Sequence, residues 1–319
     1  MEERKRVLVT GGAGFIGSHL CQTLLNKGNE VFCVDSLITG SINNLLPFRD
    51  NPRFTFIEHD IINPLSMEID EIYNLACPAS PYQYQKDPIH TTLTNVIGSK
   101  QLLELAGKTN ARILQASTSE VYGDPTVNPQ DEQYKGNVNI IGPRACYDEG
   151  KRCAETLYFD YRRKYGTNIK VVRIFNTYGP NMQLNDGRVM TSLITRALNN
   201  EDLIIYGNGL QTRSFCYISD LVEGITDMMA SDSSFTGPVN IGNDEEITIN
   251  FLAELIIKLC NSQSCIVHAD PMEDDPKMRR PDLHLANNIL GWKAKTSLSE
   301  GLNHTIQYIE HVLISSKKQ

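Results

Sequence analysis

The 319-residue sequence predicts an α/β protein: a doubly wound parallel sheet followed by a smaller C-terminal α/β unit. Three observations carry this. Short β-branched runs alternate with longer amphipathic stretches through the first half, a glycine-rich turn joins the first strand to the first helix, and the rhythm changes after Phe175. Strand–helix–strand alternation specifies a parallel sheet covered on both faces. The expected strands are Arg6–Thr10, Glu30–Asp35, Arg53–His59, Glu71–Ala76, Arg112–Ser119 and Ile169–Phe175, with helices at Phe15–Asn26, His90–Gly107 and Tyr147–Tyr165. Beyond Phe175, Gly-Pro, Asn-Asp-Gly and Gly-Asn-Gly turns cut the chain into short elements. Helices are expected there at Val189–Asn199, Asp220–Ala230, Asn250–Cys260 and Ser299–Val312. Around the last, Leu298, Leu302, Ile306, Ile309 and Leu313 form an apolar stripe at helical spacing, the mark of a helix docked on a core.

Composition excludes more than it identifies. Hydrophobic residues make up 40% and charged residues 21%, which excludes disordered and fibrous classes. A net charge of −8 leaves no electrostatic footprint for nucleic acid. No run approaches the ~18 apolar residues of a membrane span. The charged start Met1–Arg6 leads straight into a strand, so no signal peptide is expected. Eight cysteines, at 21, 33, 77, 146, 153, 216, 260 and 265, include no Cys-x-x-Cys pair, and 21, 33, 153 and 260 are expected as small core residues. The expected compartment is the reducing cytoplasm. The seven histidines show no ligand spacing, so no metal site is expected. No Gly-x-Ser-x-Gly elbow of a serine hydrolase is present either.

Val7-Leu8-Val9-Thr10 runs into Gly11-Gly12-Ala13-Gly14-Phe15-Ile16-Gly17, a Gly-x-x-Gly-x-x-Gly variant of the dinucleotide-binding fingerprint. Gly11 allows the tight turn, Gly14 a close pyrophosphate, and Gly17 close packing of helix on strand. The helix N-terminus then presents free N–H groups to the phosphates. The second strand ends at Asp35, 24 residues after Gly11, where a carboxylate suits ribose hydroxyls and repels a 2′-phosphate. The expectation is a Rossmann-type sheet that binds NAD. The NAD unit is expected over 1–176, completed by parts of 213–242, with a substrate-binding unit over 177–319.

Tyr147 and Lys151 stand four apart and share a helix face. An ammonium beside a phenol favours the phenolate, so Lys151 is expected to lower the Tyr147 pKa and make it usable as a base. Gly150, inside that helix, costs roughly 1 kcal/mol relative to Ala, and close approach of a ligand or a neighbouring backbone would explain it. Upstream, Ser117-Thr118-Ser119-Glu120 ends a strand, where parallel sheets bind their ligands.

In this order the glycine loop, Ser-Thr-Ser-Glu-Val-Tyr-Gly and Tyr-x-x-x-Lys resemble the extended short-chain dehydrogenases/reductases. Arg144–Arg152, Ala116–Pro125, Ile174–Thr177 with Gly179-Pro180, and Asp186–Val189 are similar to the UDP-glucuronate decarboxylase (UDP-xylose synthase) family, over about Arg6 to Tyr308. The resemblance implies an NAD-dependent lyase, UDP-glucuronate as substrate and a homodimer built on His90–Gly107 and Tyr147–Tyr165. It implies that Tyr147 removes the sugar 4-hydroxyl proton while NAD oxidises C4, with Lys151 and Thr118 beside it. A 4-ketone is β to the C6 carboxylate, so CO2 departs easily, and reduction at C4 then regenerates the cofactor. Ser119 stands where related 4,6-dehydratases carry Asp, and Glu120 is expected to deliver the proton at C5. Further cofactor contacts implied are Phe15, Ile16, Thr39, Gly40, Asp60, Ile61, Leu75, Thr94 and Thr177. Those to the substrate are Asn95, which would line the cleft, Asn176, Tyr206, and Arg188, Arg213 and Arg279 near the phosphates. Ser41, Cys77 and Leu93 depart from the family pattern, Leu93 standing where a Lys often meets the nucleotide sugar. The rival readings are a UDP-sugar 4-epimerase or a nucleotide-sugar 4,6-dehydratase, which share the C4 oxidation.

Overall fold

The computed structural model describes residues 4–270 and 278–316. Its centre is one all-parallel sheet of seven strands. β1 (Arg6–Thr10), β2 (Glu30–Asp35), β3 (Phe54–Glu58), β4 (Glu71–Asn74), β5 (Arg112–Thr118), β6 (Ile169–Ile174) and a last strand, Val239–Ile241, are ordered β3-β2-β1-β4-β5-β6 and then Val239–Ile241. Every neighbouring pair runs parallel. The order reverses between β1 and β4, and the crevice outside the strand carboxyl ends at such a point is where these sheets take ligands.

The sheet is buried on both faces, which is why β1 reads as an apolar run rather than an alternating one and β5 is buried from Ile113 to Thr118. α1 (Phe15–Asn26) and the Ile218–Ala230 helix cover one face, burying Leu20, Leu24, Leu221 and Ile225. The Ser99–Thr109 and Ala145–Tyr165 helices cover the other with Leu102, Leu105 and Tyr158.

Helix ends follow their caps. The second expected helix begins at Pro88, two residues early, because Asp87 accepts from His90 N at 2.9 Å and Pro fits the first helical position. It widens at Thr94–Gly98 into a π-type turn before continuing over Ser99–Thr109. The catalytic helix runs Ala145–Tyr165 and stops at Gly166, whose φ of +72° suits glycine at a helix C-terminus.

Residues after Phe175 build a separate core from the helices Val189–Leu198, Ile249–Leu259 and Leu298–Ser316, where Leu193, Leu252, Leu302 and Ile309 are buried together. Among the described residues, no helix is long and apolar enough to cross a membrane. All eight cysteines are free thiols. Cys21 and Cys33 are buried as expected, but Cys153 is exposed on the Ala145–Tyr165 helix and Cys260, at the C-terminal cap of Ile249–Leu259, is only partly covered.

Candidate active site

A cavity of about 460 Å³ opens at the carboxyl ends of the strands, between the sheet and the second core. The glycine loop forms one wall. Gly11 takes φ +69°, and a Cβ there would meet the Leu75–Ala76 backbone at 2.9 Å. A Cβ on Gly17 would run into the Gly11 carbonyl, which is how the loop stays tight against α1. Gly14 is the N-cap of α1 and brings no capping side chain, so the first N–H groups of the helix remain for an anion.

At the end of β2, Asp35 accepts from Ala13 N at 3.0 Å and Leu37 N at 2.8 Å. Burial raises its carboxyl while those two N–H groups oppose the rise. This fixed carboxylate and the bare helix terminus fit the ribose and pyrophosphate of a dinucleotide. Phe15, Ile16, Thr39, Ile61, Leu75, Thr94 and Thr177 also line the cavity, as does Asp60, whose Oδ2 lies 2.7 Å from His90 Nε2. Gly40 does not line it: it packs on Asp35, and a Cβ there would sit 2.6 Å from Oδ1.

The reaction centre forms where the catalytic helix crosses the tip of β5. Tyr147 and Lys151 are both buried and both line the cavity. Lys151 Nζ donates to the Ala116 carbonyl at 2.9 Å and lies 5.8 Å from the Tyr147 ring centre. The expected lowering of the Tyr147 pKa is not what the folded chain shows. Burial pushes the phenol well above its ordinary value, only partly opposed by a hydrogen bond with Thr118, and burial lowers Lys151. Desolvation outweighs the pair's mutual effect because both groups lie inside the wall.

Ser119 and Glu120 sit in a buried ionic cluster. Arg279 Nη1 lies 2.9 Å from Ser119 Oγ and 2.8 Å from Glu120 Oε1. Arg144 Nη2 reaches Glu120 Oε2 at 2.6 Å. Burial would raise the Glu120 carboxyl, but Arg279 and Arg144 outweigh it and hold it below the ordinary carboxylate value. A carboxylate held ionised is a poor proton donor, which corrects the expected role of Glu120 at C5. Arg279, expected near the phosphates, lines the same cavity and directs its hydrogen bonds to the Ser119–Glu120 corner. It is 2% exposed, and its Nε is buried with no partner.

Of the other expected substrate contacts, Asn176, Tyr206, Arg188 and Arg213 line the cavity from the second core's side. Arg188 Nε lies 3.4 Å from Asp186. Arg213 pairs in register with Arg279, placing two guanidiniums on adjacent strands. Asn95 does not line the cleft. It is buried behind Cys77, donating to that sulfur at 3.2 Å and to the Thr91 carbonyl at 3.1 Å. It also explains Gly150: a Cβ there would lie 2.9 Å from Asn95 Nδ2, so the close neighbour is a side chain rather than a ligand or backbone. Arg144 and Tyr84 were not expected at the site. The Tyr84 ring stacks on Tyr147 with centres 5.0 Å apart and planes 2° from parallel. Only the nearness of Arg144 to Tyr147 in sequence could have flagged the former, and nothing local flags Tyr84. Among the described residues, no group of three or more His, Cys, Asp or Glu is placed to hold a metal ion.

A parallel dinucleotide-type sheet with a buried Tyr-x-x-x-Lys pair and a hydroxyl-bearing strand end defines an extended short-chain dehydrogenase/reductase. The family model described as GDP-mannose 4,6 dehydratase matches residues 8–305. UDP-glucuronic acid decarboxylase 6 of Arabidopsis thaliana is 53% identical over 94% of this chain and 88% of its own length. UDP-glucuronic acid decarboxylase 1 of Danio rerio is 51% identical over 98% of this chain and 74% of its own. The chain belongs to the UDP-glucuronic acid decarboxylase family within that class. Among solved structures, UDP-glucuronic acid 4-epimerase from Bacillus cereus, in complex with UDP-glucuronic acid and NAD, aligns with a TM-score of 0.87. Its identity is 30%, covering 96% of this chain and 99% of that one.

Proposed function

We propose that the protein decarboxylates UDP-glucuronate to UDP-xylose and CO2, with NAD bound throughout and regenerated each turn. In this reading 1–176 with parts of 213–242 holds NAD, and 177–319 holds the UDP-sugar. The observation that carries it is the meeting of Tyr147, Lys151 and Thr118 with the Ser119–Glu120–Arg279 cluster in one cavity. NAD, when bound, supplies the oxidation at C4 and its reversal. Tyr147 takes the 4-hydroxyl proton and Thr118 hydrogen-bonds the same oxygen. Their hydrogen bonds stabilise the enolate oxygen that forms as CO2 leaves, and C5 of the enolate then takes a proton from water admitted to the cavity before C4 is reduced. Ser119 suffices at its position because CO2, unlike water, departs without a proton. Arg279 supplies positive charge on the carboxylate side, and Glu120 holds Arg279 in place.

Gly11, Gly14, Asp35 and the loop residues named above hold NAD. Asn176, Tyr206, Arg188 and Arg213 hold the uridine diphosphate, against the overall charge of −8. A homodimer fits an apolar patch where the helix from Pro88 meets the turn before the Ala145–Tyr165 helix, with Ile89 74% and Ile141 91% exposed. A reducing cytoplasm suits the eight free thiols.

Incubation with UDP-glucuronate, followed by product NMR and CO2 measurement, tests the reading. UDP-xylose with CO2 is expected. UDP-galacturonate without CO2 would replace it with a 4-epimerase, and accumulation of a 4-keto sugar would mean that the return reduction is missing.

A further inference from the structure

The catalytic helix carries a buried carboxylate that the chemistry above does not use. Glu155 lies one turn beyond Lys151 and two beyond Tyr147. Its Oε1 accepts from Ser117 Oγ at 2.5 Å and from Arg173 Nε at 3.0 Å, and its Oε2 from Arg173 Nη2 at 2.7 Å. Both partners lie in the sheet, Ser117 on β5 and Arg173 opposite it on β6. Ser117 stands between Ala116, whose carbonyl accepts from Lys151, and Thr118, which hydrogen-bonds Tyr147. Arg173 is itself pinned: its Nη1 donates to Tyr122 Oη at 2.9 Å and to the Glu132 carbonyl at 3.0 Å. Tyr122 Oη in turn donates to Asn240 Oδ1 at 2.8 Å on the Val239–Ile241 strand.

We propose that Glu155 is a positioning residue for the reaction, clamping the catalytic helix to the tip of β5 so that Tyr147, Lys151 and Thr118 share one geometry while its charge faces Lys151. This rests on the reading that Tyr147 and Lys151 carry the C4 chemistry. The clamp is geometrically strict. A guanidinium fork on a carboxylate fixes direction as well as distance, and such buried pairs act more on which arrangement is adopted than on net stability. The electrostatic part follows from what surrounds Lys151. Tyr147 and Glu155 face it from its own helix, and Cys77 from the segment after β4. Burial lowers the Lys151 pKa, while Cys77 and Glu155 oppose it. Arg173 shares the Glu155 charge, so the support given to Lys151 is partial.

Glu155→Gln tests both parts, since it keeps the shape of the side chain and removes its charge. With UDP-glucuronate as substrate, kcat is expected to fall about tenfold with little change in KM. The basic limb of the pH profile should move down by about one unit, because Lys151 then loses its proton more easily. Glu155→Asp, which keeps the charge, should return the limb towards wild type. A limb that stays in place together with a kcat close to wild type would overturn the proposal. If Glu155→Gln does not fold, Ser117→Ala carries the test, because it leaves the Glu155–Arg173 pair intact. A reduced kcat with an unmoved limb supports the clamp, and a wild-type kcat overturns it. Failure of the wild-type chain to release CO2 counts against the reaction itself and not against the clamp.

Discussion

Tyr147 and Lys151 need only helical spacing to meet, yet the chemistry they can do is set by what buries them. Burial drives the phenol up and the ammonium down, so the proposed role of Tyr147 as a base needs a further positive charge beside it, which the nicotinamide ring of bound NAD would bring to favour the phenolate. Tyr147→Phe should therefore lower CO2 release about a thousandfold, with binding of UDP-glucuronate by calorimetry largely kept. The neighbouring Asp148 gives a pH signature of its own. It is buried with Oδ1 unpartnered, and burial with the nearby Glu120 charge pushes its carboxyl up to about 7. Its pKa in the folded chain thus exceeds the ordinary carboxylate value of 3.8. The folded state holds the proton more tightly, so this residue costs stability as pH rises from about 4 to about 7, and no more above that. Asp148→Asn removes the dependence. Relative to wild type it should gain on the order of 2–4 kcal/mol between pH 4 and pH 8, read from thermal unfolding at the two pH values.

Among the loops, Pro180–Gln183 does the most to join the two halves of the molecule. Gln183 Nε2 donates to the Thr39 carbonyl, and Gln83 Nε2 donates to Gln183 Oε1 at 3.4 Å. Asn181 Nδ2 reaches Ser18 Oγ at 3.0 Å, and His19 Nε2 lies 2.9 Å from the Pro180 carbonyl. These contacts run from the second core to α1 and to the loop after β2, across the mouth of the cofactor side of the cavity. If NAD leaves by that route, these contacts must open first. Gln183→Ala removes two of them, at about 1 kcal/mol each, so NAD release should quicken by up to about thirtyfold. The check is the fraction of chain still carrying NAD after gel filtration, together with its release rate by nicotinamide fluorescence after reduction. An unchanged release rate would show that the clasp does not limit exchange.

Across the whole molecule, charge and shape pull in different directions. The net charge of −8 opposes a substrate that carries a diphosphate and a carboxylate, and the cavity answers with Arg144, Arg188, Arg213 and Arg279 on its wall. An apolar patch lies beside the helix pair instead: Ile89 and Leu93 on the first helix, with Ile140 and Ile141 in the turn before the second, are 74%, 41%, 69% and 91% exposed. Single exposed apolar residues are ordinary, but a contiguous group marks an interface. Leu93 belongs to this face, and Leu93 and Ile89 line a shallow depression beside Cys146 rather than the main cavity. Ile89→Glu combined with Ile141→Glu should convert a dimer to a monomer in sedimentation velocity. A species of unchanged mass would exclude this face as the dimer contact.

The sequence by itself determined what depends on neighbours along the chain. The glycine loop, the strand ending in Asp35, the shared face of Tyr147 and Lys151, and the strand runs of the sheet are all set by local backbone geometry and by burial of both sheet faces. The tertiary structure decided what depends on partners far apart. Arg279 pairs with Glu120, 159 residues away, because burial of that carboxylate demands a cation. Asn95 withdrew behind Cys77 into the space Gly150 leaves, and Glu155 found Ser117 and Arg173 across two strands. Spacing along the chain carries no record of such pairings. They follow from the cost of burying charge and polar groups unpaired, which is settled only when the sheet, its helices and the second core close on one another.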